Sequence, residues 1–290
     1  MTAVAITGYA SLDHVVMVDG VPSPGRTTAI LERPDEAWPR LGGSPAYVAA
    51  ALAGAGVAAS PVSWVGDDAG GEGFRRALAD QGIRTDGIAV VPGARTPIAI
   101  LAYEPQGGCM CLYHPAIPKE LGLTDAQRSV VAAADWLCVT IGPVRPTQEA
   151  LVLLPPDRRL AWVVKDDPRA MPPGLAAALA ARADVIFFSA AETDFVGRAL
   201  AGAPARRPGQ LLIETAGGAG ARATWNGSTV FVAAEHLTVT DPTGAGDTFA
   251  GAALAALAAG EADPAAIIAA GHKAARALLS RRTAKDIESA

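Results

Sequence analysis

Asp241-Pro242-Thr243-Gly244-Ala245-Gly246-Asp247-Thr248-Phe249-Ala250-Gly251 is the stretch on which the reading of the whole chain turns. Upstream, residues 236–240 alternate apolar and polar side chains and carry β-branched residues, the pattern of a short strand. Downstream, residues 249–259 are rich in Ala and Leu and precede Gly260, the composition and stop of a helix. A Gly-x-Gly turn between the two leaves the N–H groups of the first helical turn without internal partners. With the helix dipole behind them, those groups attract an anion. The small side chains of Gly244, Ala245 and Gly246 admit a phosphate or a developing oxyanion close to the backbone. Asp247 is the odd member, because a carboxylate repels an anion. Two readings stand: a helix-capping Asp, or a general base that takes the proton of a hydroxyl attacking a phosphoryl group.

This run resembles the C-terminal signature of the ribokinase-like (PfkB) family of carbohydrate and nucleoside kinases. The resemblance implies that Asp247 is the catalytic base and that the amides of Gly244, Ala245 and Gly246 form an anion hole for the transferred phosphoryl group. Many members of that family bind a monovalent cation beside the anion hole. Asp241 and Thr243 occupy the corresponding loop, so the resemblance also implies a possible K+ site there.

Composition sets the outer bounds. The chain has 290 residues, 50% hydrophobic and 18% charged, with a net charge of −5, which suits one large α/β unit with an ample core. The acidic balance argues against a general nucleic-acid binder. No apolar run reaches the roughly 18 residues of a membrane helix, and residues 4–13 lack the pattern of a signal peptide. A cytoplasmic location is the expectation. Cys109 and Cys111 fall in a strand-like run, on one side and about 7 Å apart along it. With Cys138 they lack the further ligands that zinc requires, and are read as small buried hydrophobes.

From the N-terminus, residues 3–7 read as a buried strand closed by Gly8, and Asp13 follows near its C-terminal end, where open α/β sheets bind ligands. The resemblance makes Asp13 a contact to sugar hydroxyls; an ordinary turn Asp is the alternative. Residues 14–40 read as short strands punctuated by Pro and Gly, a small projecting sheet. Residues 93–116, with a turn at 104–108, read as a hairpin belonging to the same sheet. In the resembled family this sheet is a lid over the sugar and often pairs with a second subunit, which implies a homodimer. Tyr103, Tyr113 and His114 lie on it, as sheet packing or as acceptor contacts.

Gly42 and Gly43 lead into an Ala-rich helix, with Ser44 as N-cap and Pro45 in the first turn. The family's N-terminal signature has the same glycine pair near its substrate but carries Asn where this chain has Tyr47. A phenol has one hydroxyl in place of an amide's donor and acceptor, so the acceptor pocket differs. Asp67 and Asp68, after a strand and before a Gly-rich helix, read as structural caps. From residue 124 onward, helix and strand alternate, which implies a parallel sheet covered on both faces. Lys165, Asp166 and Asp167 follow one of these strands, with Lys165 a candidate neighbour of phosphate.

Ser189-Ala190-Ala191-Glu192 matches a family site whose Glu holds the water shell of nucleotide-bound Mg2+, with Ser189 in place of Asn. The same spacing is a capping box, and the two roles are compatible. Thr215-Ala216-Gly217-Gly218-Ala219-Gly220 resembles the family's nucleotide motif, which implies Thr215 on phosphate, Gly217 admitting the nucleotide, and Gly220 in the same cofactor-binding turn. A plain hairpin with a second tight turn at Asn226-Gly227 is the alternative. Asp263-Pro264 starts the last long helix. The resemblance puts part of an adenine pocket near His272, although a helix-surface role is the preferred reading of that residue, and residues 285–290 read as a frayed tail.

The expected fold is therefore a three-layer ribokinase-like α/β domain, with a parallel-dominated central sheet and a small β lid. The resemblance implies ATP-dependent phosphorylation of a sugar or sugar-like polyol. A nucleoside kinase of the same family and a non-catalytic sugar or nucleotide sensor are the alternatives. A dinucleotide-binding dehydrogenase is disfavoured, because no Gly-x-Gly-x-x-Gly follows the first strand.

Overall fold

Residues 4–6, 137–139 and 160–162 are buried throughout, as strands must be when helices cover both faces of their sheet. The computed structural model, which describes residues 2–118 and 120–288, arranges these runs in one large sheet. β1 (Ala3–Thr7) is followed by β2 (Ser11–Val18), β3 (Ile30–Glu32) and β4 (Arg40–Gly42), then α1 (Ser44–Gly54). Next come β5 (Ala58–Gly66), α2 (Ala69–Ala79), β6 (Ile88–Val91), β7 (Ile98–Tyr103) and β8 (Cys109–His114). The regular alternation is α3 (Asp125–Ala133), β9 (Trp136–Val139), α4 (Val144–Leu153), β10 (Arg159–Val163), α5 (Pro173–Arg182), β11 (Val185–Ser189) and α6 (Thr193–Gly202). β12 (Leu211–Thr215), β13 (Gly220–Trp225), β14 (Ser228–Ala233), α7 (Ala245–Ala258) and α8 (Pro264–Glu288) complete the chain.

The large sheet has nine strands in the order β14-β13-β12-β11-β10-β9-β1-β5-β6, antiparallel only at β13 and β14. Strand residues alternate between its two faces. Val4, Ile6, Trp136 and Cys138 enter one core with α1, α2, α7 and α8, while Ala5, Leu137, Val139 and Trp162 enter the other with α3 to α6. The result is three layers. A one-residue slip in any central strand would exchange the two sets of side chains.

The smaller sheet runs β3-β2-β7-β8, with β4 paired to β2, and β7 and β8 form the expected hairpin. β2 begins at Ser11, so Asp13 sits within this sheet and not in a turn after β1. Cys109 and Cys111 are free and exposed on β8, while Cys138 is buried in β9.

Other local expectations differ in instructive ways. Residues 236–240 form no strand among the described residues: they are irregular, with a bend at Thr240. Asp68 caps α2 through the Gly71 N–H at 3.0 Å and also accepts from the Thr96 N–H at 3.0 Å. Asp67 caps nothing; it accepts from the Gly93 N–H at 2.9 Å and ties down the following loop. The helix expected to fray continues through Glu288, with residues 289 and 290 outside the described residues. No helix among the described residues is long and apolar enough to cross a membrane.

Candidate active site

α7 is brought to the centre of the molecule by small residues. A β-carbon on Gly251 would come within 2.7 Å of the Val48 carbonyl oxygen, so only glycine lets α7 pack this closely on α1. On its other side the Phe249 ring meets Gly271 of α8, where an added β-carbon would lie 2.6 Å away. These contacts aim the N-terminus of α7 at the edge where β1, β9, β10, β11 and β12 end, the ligand-binding edge of such sheets.

At that N-terminus Gly244 is the N-cap, in the left-handed conformation with φ 73° and ψ 1°. The turn it makes donates the Ala245 N–H to the Pro242 carbonyl at 3.0 Å. Ala245 was expected to offer that N–H to an anion, and the turn instead uses it internally. Gly246 N–H and the Asp247 N–H have no backbone acceptor among the described residues, so the free donors lie one step further along the helix than expected.

Asp247 does not cap α7, because no side chain makes that bond. Its carboxyl is held above the usual aspartate range. Burial is the main cause, opposed by hydrogen bonding from Ser44 and by Lys165, and assisted by the charges of Glu192 and Asp13. Asp247 thus stands within the electrostatic reach of Lys165, Glu192 and Asp13. Ser44, expected as the N-cap of α1, is its first residue and serves Asp247, while Gly43 takes the cap position at φ 86°. Lys165 is exposed just beyond β10.

Asp13 is buried and accepts from the Ser11 hydroxyl at 2.5 Å. Its pKa is raised, first by burial, with the Ser11 bond and Arg40 working against the rise. Tyr47 is buried with its ring against Gly244, where a β-carbon would lie 2.5 Å from the ring. Its hydroxyl has no hydrogen-bond partner among the described residues, and burial pushes its pKa up to about 12. Arg40 reaches the same place from β4, with its Nη2 2.6 Å from Asp241 Oδ2. Asp241 and Thr243 are bonded to each other, the Thr243 hydroxyl donating to Asp241 Oδ1 at 2.5 Å. That leaves Tyr103, on β7, to donate its own hydroxyl to Thr243 Oγ1 at 2.6 Å.

The side expected to take a nucleotide is less built. Glu192 is buried and accepts from the Ser189 N–H at 2.8 Å and the Ser189 hydroxyl at 2.9 Å, the box its spacing anticipated. Thr215 ends β12 and contacts the Phe188 carbonyl at 3.4 Å, and a short 3-10 turn at Gly217–Ala219 leads to Gly220. His272 is half-buried against the Phe249 ring at 5.3 Å, and burial lowers its pKa. Among the described residues no cluster of His, Cys, Asp and Glu could by itself hold a metal ion. A cavity of about 460 Å³ lies at the opposite ends of the strands, around Trp136, Arg159, Asp184 and Trp225, away from Asp247.

Sequence reasoning missed Arg40 and Arg282. Arg40 stands two residues before Gly42 and could have been suspected from that position. Arg282 lies near the chain end with no local pattern to mark it, yet it bonds the Asp241 and Thr243 carbonyls.

Known proteins resemble this chain in sequence and in fold. An ATP-dependent ribose-1-phosphate kinase of Halopiger xanaduensis is 29% identical over 140 residues, 48% of this chain and 46% of that one, so this match spans about half of its length. A fructokinase of Klebsiella pneumoniae is 29% identical over 237 residues, 75% of this chain and 77% of that one. The crystal structure of a Methanocaldococcus jannaschii nucleoside kinase, an archaeal member of the ribokinase family, has the same fold, with a TM-score of 0.79 at 18% identity over 97% of this chain and 92% of that one. The model of the pfkB family carbohydrate kinases matches residues 1–289. With that match over almost its full length, the chain belongs to the PfkB family of carbohydrate kinases.

Proposed function

We propose that the protein transfers the γ-phosphoryl group of ATP to a hydroxyl of a sugar or sugar-like polyol, with Asp247 as the general base. The observation that carries this reading is the position of Asp247 in the first turn of α7, beside the unpaired N–H groups of Gly246 and Asp247 and within the electrostatic reach of Asp13, Lys165 and Glu192. A carboxyl whose pKa is raised is a stronger base once ionised, and it is close to the residues that would hold an alcohol. The helix N-terminus then stabilises negative charge on the group in flight, and Lys165 is available to its oxygens.

Asp13 and the Tyr47 hydroxyl are the acceptor contacts in this proposal. The Tyr47 hydroxyl is buried without a partner among the described residues, and a substrate hydroxyl would complete it. Gly42 and Gly43 leave room for Asp13 and for the chain's approach. Thr215, Gly217 and Gly220 would line the nucleotide phosphates, with His272 near the base. A hydrated Mg2+ needs few protein ligands, so the single carboxylate of Glu192 fits a role in its water shell. Bound there with the nucleotide, the ion would supply charge neutralisation of the phosphates. The smaller sheet, from about residues 14–40 and 93–116, is proposed as the lid that excludes water. Its exposed Ile30, Leu31 and Leu112 support a homodimer formed through it; a cytoplasmic location is proposed on the sequence alone.

A nucleoside acceptor is the second reading, favoured by the aromatic ring that Tyr47 places at the acceptor end. The test is a screen of sugars, sugar phosphates, polyols and nucleosides with ATP and Mg2+, reading ADP release. Acceptor-dependent ADP that disappears in Asp247→Asn supports the proposal, and ADP release that ignores both the acceptor and Asp247 overturns it.

A further inference from the structure

The loop expected to hold a monovalent cation offers suitable oxygen atoms, the Asp241 carboxylate and the carbonyls of Asp241 and Thr243. All of them are already engaged. Arg282 Nη1 donates to the Asp241 carbonyl at 3.0 Å and to the Thr243 carbonyl at 2.7 Å, and lies 3.5 Å from Asp241 Oδ2. Arg40 Nη2 is 2.6 Å from the same Oδ2, and Oδ1 accepts from the Thr243 N–H at 3.0 Å and hydroxyl at 2.5 Å. The side chains of Arg40, Asp241 and Arg282 are only 11%, 8% and 12% exposed, so water does little to screen them. A K+ ion at these oxygens would have to displace a guanidinium and stand beside another. The residues present do not fit it.

We infer that Arg282 is this loop's built-in cation and that the chain neither binds nor requires a monovalent ion. One planar guanidinium bridges two carbonyls that a spherical ion would otherwise draw together. Fixing the Asp241 and Thr243 carbonyls fixes the turn that follows, including the left-handed Gly244 and hence the direction of the Gly246 and Asp247 N–H groups. Arg282 is thus a positioning residue, acting through the loop. Arg40 and Tyr103 tie the smaller sheet to the same loop through Asp241 and Thr243, so the charge balance stays within the chain.

The effect on turnover rests on the kinase reading above, but the binding statement does not, and the experiment keeps them apart. The full chain, without acceptor, is titrated with thallium(I) as a K+ mimic and followed by thallium NMR and by thermal unfolding at constant ionic strength. No saturable binding and no K+-dependent rise in Tm, relative to tetramethylammonium, are expected. Saturable thallium binding displaced by K+ overturns the inference, whether or not an acceptor has been found. With an active acceptor, kcat should be the same in K+ and tetramethylammonium, and activation by K+ overturns it. Arg282→Ala should lower kcat by at least about tenfold with little change in acceptor KM. Added guanidinium or K+ should restore it, and Arg282→Lys should retain more activity. A folded Arg282→Ala protein with unchanged kcat, or one that neither cation rescues, counts against the role. If that variant does not fold, the wild-type titration still decides.

Discussion

The Asp13 carboxylate occupies the space that a side chain on Gly42 would need: a β-carbon there would lie 2.1 Å from Asp13 Oδ1. The two residues are diagonal neighbours on one face of the sheet, because β2 and β4 pair with Ser11 opposite Gly42 and Asp13 opposite Arg40. Gly42→Ala should therefore displace the carboxylate from its Ser11 bond without unfolding the protein. The expected result is a rise of at least about tenfold in acceptor KM, the loss of one charged hydrogen bond, with a smaller effect on kcat. Steady-state kinetics check it, and an unchanged KM would remove Asp13 from the acceptor site.

Asp247→Asn keeps the shape of the side chain and removes the base. A drop in kcat of about 10² to 10⁴ is expected, the usual contribution of a positioned base. In the wild type the base works only when ionised, so kcat/KM should fall as pH is lowered through its pKa. Burial raises that pKa, which puts the acidic limb above the ordinary aspartate value of about 3.9. A limb at or below the ordinary value would contradict the environment described for Asp247.

Asp13 and Asp241 should affect stability in opposite directions. The folded-state pKa of Asp13 is raised by burial, so its ionisation costs stability. That cost is absent below the unfolded pKa, grows as pH rises to the folded pKa, and is complete above it. Asp13→Asn should raise Tm at pH 7, with the gain shrinking toward pH 4. The pKa of Asp241 is lowered because Arg40, the Thr243 hydroxyl and Arg282 outweigh its burial. Its contribution is present above the unfolded pKa and is lost as pH falls through the folded one. Asp241→Asn should cost about 3–5 kcal/mol at pH 7, since it strands two buried guanidinium groups. Thermal melts from pH 4 to 8 test both signs.

Tyr47→Phe removes a buried hydroxyl that has no partner among the described residues. Deleting such a group is neutral or stabilising, since an unsatisfied one costs about 1–3 kcal/mol. Tm should be unchanged or higher, while acceptor KM should rise by up to about tenfold as one hydrogen bond is lost. A lower Tm would mean that the hydroxyl is already bonded.

Asp68→Ala supplies a control outside the site. Loss of the α2 cap and of the tie to Thr96 should cost about 1–2 kcal/mol. Denaturant titration measures it, and kcat should not move.

Much of this molecule was determined by order along the chain. The short apolar runs of the central strands, the alternation of strand and helix after residue 124, the turn at Gly244 and the station of Asp247 are properties of neighbouring residues, and neighbours are what a sequence displays. The Ser189–Glu192 box and the Asp68 cap belong to the same class. What only the tertiary structure decided depends on atoms far apart in sequence. Tyr103 finds Thr243 across 140 residues, and Arg282 finds Thr243 from 39 residues downstream. Residues 236–240 have a strand's pattern but form no strand among the described residues, and a ladder needs two partners. Ala245 lost its N–H to Pro242 because the left-handed Gly244 closed the turn. Charge compensation in a buried loop depends on which side chains arrive there in three dimensions, and for that reason the guanidinium at the expected cation site was invisible until the helices had packed.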